Sequence, residues 1–421
     1  MVIHSKTAIL ALSTIAYIQV LQTAAQSYTD TLNDCLNLIS MFEATHYPQK
    51  TGNNNQYPYG NGNVYNYEQV VCSNIGTCPD DVTRTTCTWQ RYLLLQCVSA
   101  ARNRIVIATN SLPNHCYWGQ QYTPSGGRTE FNKYQFDITF NIPPSEMANA
   151  QGLAKNQPFY NYQVNSQADS DQVLCSSNWA GKAFIDSNIF YEEKVLDQNG
   201  VYSATLFQIN SNWPLLKMTS SNYIVGVARN GVFIFAGSGD QGFDAFFPQT
   251  YGINVTPVKA DYDVCLGSQN TFSTYRYVMF SPCMFNIPLR DVPLACQKHP
   301  DCSIDVRNFS ISYAPERLKS IMPIGVARDG RVIYGPYRQD GELWQPCDVD
   351  VCNGRMFGRY YGYVATMFHP YMVGCFGPGN MAYKIAPQCS ANARLCNSTY
   401  EKFRHITVTV LFGILALSLL F

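Results

Sequence analysis

Charge is what this sequence has least of. Only 14% of its 421 residues are Asp, Glu, Lys or Arg, and 29 basic side chains balance 29 acidic ones. A nucleic-acid partner needs a basic surface to displace phosphate counterions, so none is expected. Disorder is not expected either. Hydrophobic residues make up 46% and net charge is zero, whereas unfolded chains are poor in apolar groups and rich in net charge. Histidine is scarce, with six residues. No GxSxG, HExxH or Walker pattern occurs, which removes the local signatures of a serine hydrolase, a zinc protease and a P-loop nucleotide site. No CxxC pair occurs, so neither a zinc ribbon nor a thioredoxin-like centre is suggested. Long apolar runs are missing too. The two apolar stretches lie at the ends of the chain, and both are short.

Those ends suggest a compartment. His4 and Lys6 precede an apolar stretch from Ala8 to about Val20, interrupted by Ser13, Thr14 and Gln19, and Thr23-Ala24-Ala25 supplies small residues. This reads as a secretory signal peptide over residues 1–25, with an uncut signal anchor as the alternative. At the other end Ile406 to Phe421 is apolar, yet shorter than the roughly 20 residues of a spanning helix. A polar spacer, Tyr400 to His405, and the small residues around Asn397-Ser398-Thr399 precede it. Small residues, spacer and terminal apolar tail form the pattern of a glycolipid-anchor signal. The expected anchor site is Asn397, or Ser398, with 398–421 removed. A retained tail anchor is the alternative.

The sixteen cysteines are Cys35, Cys72, Cys78, Cys87, Cys97, Cys116, Cys175, Cys265, Cys283, Cys296, Cys302, Cys347, Cys352, Cys375, Cys389 and Cys396. An even number in a secreted chain implies a disulfide framework whose connectivity the sequence does not give. Cleavage at Asn397 keeps all of them, whereas cleavage at Ser390-Ala391 would strand one partner of Cys396. Asn254, Asn308 and Asn397 open N-glycosylation sequons. Pro257 follows the first closely and the third competes with the anchor, which leaves Asn308 as the best acceptor.

Residues 26–104 read as a separate Cys-rich module, partly helical. Leu32, Cys35, Leu36, Ile39 and Phe42 recur at helical spacing, and Thr51 to Tyr67 is an Asn-, Gly- and Tyr-rich loop. Asp80-Asp81 then suit the start of a helix over 82–101, with Trp89, Leu93, Leu94 and Cys97 on one face. From Ile105 the pattern turns to β: short β-branched and aromatic runs punctuated by Gly, Pro, Asn and Asp. Asn230-Gly231 and Asp329-Gly330 each separate two such runs and predict two tight hairpins. The expected class is thus mainly β and disulfide-rich, with a small helical N-terminal module.

Three blocks recur in order. Gly226-Val-Ala-Arg-Asn-Gly231 returns as Gly325-Val-Ala-Arg-Asp-Gly330, Asp261-Tyr-Asp-Val-Cys265-Leu-Gly267 as Asp348-Val-Asp-Val-Cys352-Asn-Gly354, and Tyr275-Arg-Tyr-Val278 as Tyr361-Gly-Tyr-Val364. We read two related β units, 223–290 and 322–377, as a pseudo-symmetric pair. Over about 105–378 the chain resembles the YHYH-domain family of secreted proteins. The resemblance starts at Ile107-Ala-Thr-Asn110-Ser-Leu-Pro113-Asn-His115, runs through both hairpins and ends at Phe368-His369-Pro370-Tyr371-Met-Val-Gly374-Cys375-Phe-Gly377. It implies a β domain over those residues; the stretch 379–397 reads as a Cys-containing stalk. The chain departs from the family where its histidines stand. Arg276, Val278, Gly362 and Val364 fill the tyrosine motifs, while Ser268 and Arg355 follow Gly267 and Gly354.

Few residues remain for chemistry. His46, His115, His299 and His369 lie outside the two ends. A metal site would need His115 and His369 to converge with Asp348, Asp350, Asp261 or Asp263. Otherwise both histidines are hydrogen-bonded in turns beside Pro113 and Pro370. Asp348-Val-Asp350-Val-Cys352-Asn353-Gly354 has alternate acidic oxygens that suit calcium. It is not an EF-hand, because Arg359 stands where the bidentate Glu belongs; the other reading has these Asp residues capping backbone amides. Gly237-Ser-Gly239-Asp-Gln-Gly242 matches GxGxxG, but residues 243–251 do not read as the helix that phosphate binding requires, so no nucleotide is expected. A glycosidase-type carboxylate pair leaves no local pattern, and the 29 tyrosines either stack on glycans or pack the core. No cofactor is expected, with calcium the one alternative. The sequence favours a lipid-anchored, glycosylated cell-surface ectodomain that binds surface glycans or proteins without catalysis. The alternative is an extracellular metal-dependent hydrolase.

Overall fold

The computed structural model of the chain describes residues 27–45, 68–79, 82–119, 133–144, 163–175, 190–196, 223–238, 243–248, 261–269, 275–377, 385 and 387–396. The expected signal peptide, His46, Asp80-Asp81, Asn254, Asn397, Ser398 and the C-terminal tail lie outside them. Among the described residues no helix is long and apolar enough to cross a membrane.

The described chain is mainly β. Helix α1 (Leu32–Ile39) opens it, capped by the Thr31 hydroxyl, which accepts from the Asp34 amide. Strands β1 (Glu68–Ser73) and β2 (Thr86–Arg91) pair antiparallel. Strands β3 (Leu93–Val98), β4 (Arg104–Thr109), β5 (Lys133–Thr139) and β6 (Tyr191–Leu196) form a four-stranded antiparallel sheet in chain order. Helix α2 (Gln167–Ser170) lies between β5 and β6 in sequence.

The helix expected over 82–101 is therefore two strands, and the reason is in the residues. Along β2 Cys87, Trp89 and Arg91 are buried while Thr86, Thr88 and Gln90 are exposed, a period of two on a β-branched segment. β3 is buried on both faces, so its run of leucines carries no alternation, and a run of that kind fits helix or strand equally well. The hairpin β3–β4 runs from Leu93↔Thr109 to Val98↔Arg104. Strand pairing thus crosses the boundary expected at 104/105, and among the described residues before it α1 is the one helix beside strands β1, β2 and β3.

A second sheet has eight strands: β7 (Ile224–Ala228), β8 (Phe233–Phe235), β9 (Gly267–Gln269), β10 (Tyr275–Tyr277), β11 (Pro323–Ala327), β12 (Val332–Tyr334), β13 (Gly354–Phe357) and β14 (Tyr360–Val364). Their order across the sheet is β13-β14-β12-β11-β7-β8-β10-β9. At the centre β7 meets β11 antiparallel, with Val227 opposite Val326. Gly226 and Gly325 flank that crossing. A Cβ on either would stand 2.6 or 2.5 Å from a carbonyl of the other strand, so only glycine permits the approach. Helices α3 (Pro300–Ile304) and α4 (Val306–Ser312) connect β10 to β11.

Both predicted hairpins are present. Gly231 and Gly330 have φ of 86° and 84°, and their amides donate to Ala228 and Ala327. The two turns dock on the four-stranded sheet. The Thr109 hydroxyl donates to the Gly231 carbonyl at 2.6 Å, and the Asn141 amide donates to the Gly330 carbonyl at 3.1 Å. All sixteen cysteines are paired: 35–97, 72–116, 78–87, 175–389, 265–283, 296–302, 347–396 and 352–375.

Candidate functional site

The aspartates singled out in the sequence separate into two kinds. Asp263 and Asp350 are buried, each in its own half of the large sheet. Tyr275 donates to Asp263 Oδ2 at 2.8 Å and Tyr361 to Asp350 Oδ2 at 2.7 Å. The other oxygen accepts from backbone: Gly267 N at 3.0 Å for Asp263, and Cys352 N and Gly354 N, both at 2.9 Å, for Asp350. The tyrosine rings lie directly on Gly267 and Gly354, where a Cβ would fall about 2 Å from the ring (2.2 and 1.9 Å to the nearest atom). These carboxylates cap tight loops, which disulfides 265–283 and 352–375 pin. Burial pushes both up to about 7, against the tyrosine and amide hydrogen bonds that favour the charged form. Asp261 accepts from Gln297 at 2.7 Å, and Asp348 pairs with Arg338 at 3.1 Å.

His115 is buried. Its Nδ1 lies 2.8 Å from the Cys116 carbonyl, which only accepts, so Nδ1 carries the proton and Nε2 accepts from the Tyr277 hydroxyl at 2.7 Å. Burial, with Arg290 and Arg91 nearby, pushes its pKa down to about 3, so the ring is neutral. His369 is also buried, and burial lowers its pKa. Neither of its ring nitrogens has a hydrogen-bond partner among the described residues. It borders a cavity of about 10 Å³ with Asp350, Asn353 and Arg394, room for about one water molecule. His299 stacks edge-on against Phe309 at 4.9 Å. Of the six candidate ligands, Asp350 and His369 border one cavity, and the six do not converge on one site. Among the described residues no three His, Cys, Asp or Glu side chains are placed to hold a metal ion, because the loop aspartates that point inward are already used as amide caps.

Gly237, from the GxGxxG pattern, packs against Pro370. Residues 243–248 form bridges and bends rather than a helix, so no helix start faces this turn, and residues 239–242 lie outside the described ones.

The structure instead forms a polar pocket of about 690 Å³ lined by Glu43, Ala44, Thr45, Glu68, Arg91, Asn114, Asn286 and Arg290. Five separate segments build it. The stretch after α1 is tied down where the Glu43 amide donates to the Arg229 carbonyl at 2.8 Å and the Thr45 amide to the Leu93 carbonyl at 2.9 Å. Glu68 opens β1 and Arg91 ends β2, opposite each other in the pairing. Asn114 follows β4. Arg290 lies in the 3₁₀ turn Pro288–Asp291.

Arg91 is only 2% exposed, and every edge of its guanidinium is used. Nη1 pairs with Glu68, Nη2 reaches the Glu43 carbonyl, and Nε and Nη2 donate to the Asn230 carbonyl at 3.1 and 2.9 Å. Burial lowers its pKa while Glu68 and Glu43 oppose; arginine stays charged in either case. Glu43 takes Arg290 Nη2 on both oxygens at 3.1 Å and also the Asn114 amide. Asn230, at the first hairpin turn, donates to the Tyr277 hydroxyl at 3.1 Å, so the chain of hydrogen bonds continues inward to His115. In the second half Tyr363 donates instead to Asp329, which also pairs with Arg331 at 3.4 Å, and all three are buried. The first hairpin therefore backs onto an open pocket and the second onto a closed ion pair.

None of Glu43, Glu68, Arg91 and Arg290 stood out in the sequence, since they come from four distant segments. One signal was available. In a chain so poor in charge, Arg91 occupies the inward phase of the Cys87, Trp89, Arg91 alternation, and an arginine there needs buried acceptors. Comparison of the chain with family models, with curated proteins and with solved structures finds no match in any of the three.

Proposed function

We propose that the chain is an extracellular, lipid-anchored and glycosylated surface module that works by binding rather than by catalysis. The observation that carries this reading is the complete disulfide set, running from Cys35 to Cys396 with no thiol left over. Structural disulfides of this density belong to oxidising compartments. The bond 347–396 holds the chain immediately before Asn397-Ser398, where the anchor is proposed to join, so a cut there would detach no partner.

Asn308 fits the glycan. It is exposed on α4, whereas Ser310 of the same sequon is buried with its hydroxyl on the Phe280 carbonyl at 2.8 Å. The sugar would be added before this helix packs. The duplicated-unit reading, and with it membership of the YHYH-domain family, belongs to the same proposal. Its support is that the strand order has the same sequence of connections from either edge, that Tyr277↔Ile234 and Tyr363↔Ile333 pair in parallel alike, and that the two Asp–Tyr–Gly loops share one geometry. The tyrosines serve these loops without the family's histidines.

The test is to express the full chain in a eukaryotic cell and treat intact cells with phosphatidylinositol-specific phospholipase C. Release of a disulfide-bonded product into the medium is the expected result. A product retained on membranes with its tail intact, or a reduced cytosolic one, would overturn the anchored reading.

A further inference from the structure

We propose that the pocket between α1, β1–β2 and the Pro288–Asp291 turn binds an acidic saccharide, a ring that carries a carboxylate or sulfate together with free hydroxyls. The inference deepens the binding reading above and rests on it. Its size comes first: about 690 Å³ is within the range of small-ligand sites and accommodates one or two sugar rings.

Charge comes second. Two guanidiniums and two carboxylates form the lining, and two further guanidiniums stand beside it. Arg91 and Arg290 line the pocket with Glu43 and Glu68. Arg229 and Arg317 lie 4.4 and 5.5 Å from the centre of the Phe285 ring, and Arg229 is within electrostatic reach of Glu43, Arg290 and Arg317. The pairings Arg91–Glu68 and Arg290–Glu43 use both carboxylates. Arg229 stands behind the lining, with Nε and Nη1 buried and without a hydrogen-bond partner among the described residues. The lining alone is balanced, two guanidiniums against two carboxylates, and the two arginines beside it tip the local field positive, which favours an anionic group.

The kind of anion follows from the other lining groups. A bare phosphate or a polyanion would meet Glu43 and Glu68 in the same space and be repelled. A sugar acid would not, because its hydroxyls donate to carboxylate oxygens while its anionic group turns to the arginines. Asn286 adds a planar amide that donates and accepts at once, which suits a ring with adjacent hydroxyls, while the Thr45 hydroxyl is held by the Leu93 backbone and the Asn114 amide by Glu43 and Asn230. Arg290 has one guanidinium edge left for a ligand. It holds Glu43 through Nη2 and the Cys283 carbonyl through Nε at 2.9 Å, and its Nη1 is the edge that remains.

The experiment uses the full chain, made through the secretory pathway and purified in detergent. Glucuronic acid and galactose 6-sulfate are titrated calorimetrically against their neutral parents, glucose and galactose, and against sodium acetate and sodium sulfate. At least one acidic sugar is expected to bind about tenfold more tightly than both its neutral parent and the simple anion, and to weaken as salt is raised. Arg290→Gln is expected to remove that preference, with a lower melting temperature because Glu43 and the Cys283 carbonyl lose their partner, and Glu68→Gln to narrow the gap between sugar and simple anion. If Arg290→Gln does not fold, the exposed Arg317→Gln, expected to weaken binding about threefold, replaces it. Equal binding of acidic and neutral sugars, equal binding of sulfate alone, or binding indifferent to these substitutions overturns the proposal. A chain that is released by phospholipase and yet ignores acidic sugars overturns this inference alone, while a chain that binds them but never reaches the surface overturns only the anchored reading.

Discussion

Asp263 and Asp350 show how much of the hydrogen-bond economy of this protein rests on single buried carboxylates. Each accepts one tyrosine hydroxyl and backbone amides, and among the described residues neither has a cation within salt-bridge distance. An amide side chain at these positions would turn a donor toward donors. Asp350→Asn is therefore expected to destabilise the fold by about 2 kcal/mol, the cost of leaving a buried polar group unmatched, and Tyr361→Phe by about 1 kcal/mol. Urea unfolding of both variants measures the difference. A larger loss for Tyr361→Phe than for Asp350→Asn would mean that the ring rather than the carboxylate organises the loop. The sequence disclosed the tyrosine pairs and the Asp-rich loops as recurring blocks. It did not disclose that they join, because the hydroxyl that satisfies Asp350 comes from a strand beyond a hairpin. The calcium flavour of Asp348 and Asp350 arises from the same capping geometry: alternate oxygens on a turning loop suit backbone amides as readily as a cation.

Turns were the most legible elements, for a steric reason. Asn-Gly and Asp-Gly between apolar runs demand positive φ at the glycine, and few other structures use that pattern. Gly330 and Gly358 separate two consequences of such a position. Both have positive φ, at 84° and 63°, but a Cβ on Gly330 would stand 2.2 Å from the Thr139 carbonyl, while one on Gly358 would meet nothing within 4 Å. Gly358→Ala is expected to cost about 1 kcal/mol from backbone strain alone. Gly330→Ala is expected to cost several-fold more, since the hairpin must lift off the four-stranded sheet. Thermal melts of the pair test this, and equal losses would show that the turn does not bear on the sheet. The strands β2 and β3 were illegible for the opposite reason. Trp89, Leu93, Leu94 and Cys97 suit one helix face as well as they suit two strands, and β3 is buried on both faces, so the period that distinguishes a strand is absent from it.

At the scale of the whole molecule, four buried ionisable groups set opposing responses to pH. Asp263 and Asp350, raised by burial to about 7, take up protons in the folded state that the unfolded chain has already released. Their contribution is complete below the ordinary carboxylate range and is lost as pH rises through about 7. His115, lowered by burial to about 3, and His369, lowered for the same reason, act the other way: the unfolded chain protonates first, so their contribution is lost as pH falls below the ordinary histidine range of about 6.5. Between roughly pH 4 and 6.5 two groups gain stability on acidification while two lose it, and the terms offset. Asp340 is held low by its Arg338 hydrogen bond; in Asp305 the Arg307 hydrogen bonds outweigh burial, which raises the pKa. Both act only below that window. The melting temperature of the chain is accordingly expected to be nearly flat across it, to decline as pH rises from about 6.5 through 7, where the histidines no longer offset the carboxylates, and to level off above that. Asp263→Asn with Asp350→Asn removes one side of the balance. The double variant, less stable throughout, is expected to lose further stability as pH drops from about 6.5, with no decline on crossing 7. Melts at half-unit pH steps compare the two proteins. A wild-type curve that slopes steeply through the window, or a double variant that stays parallel to it, would mean that these four groups do not govern the response to acid.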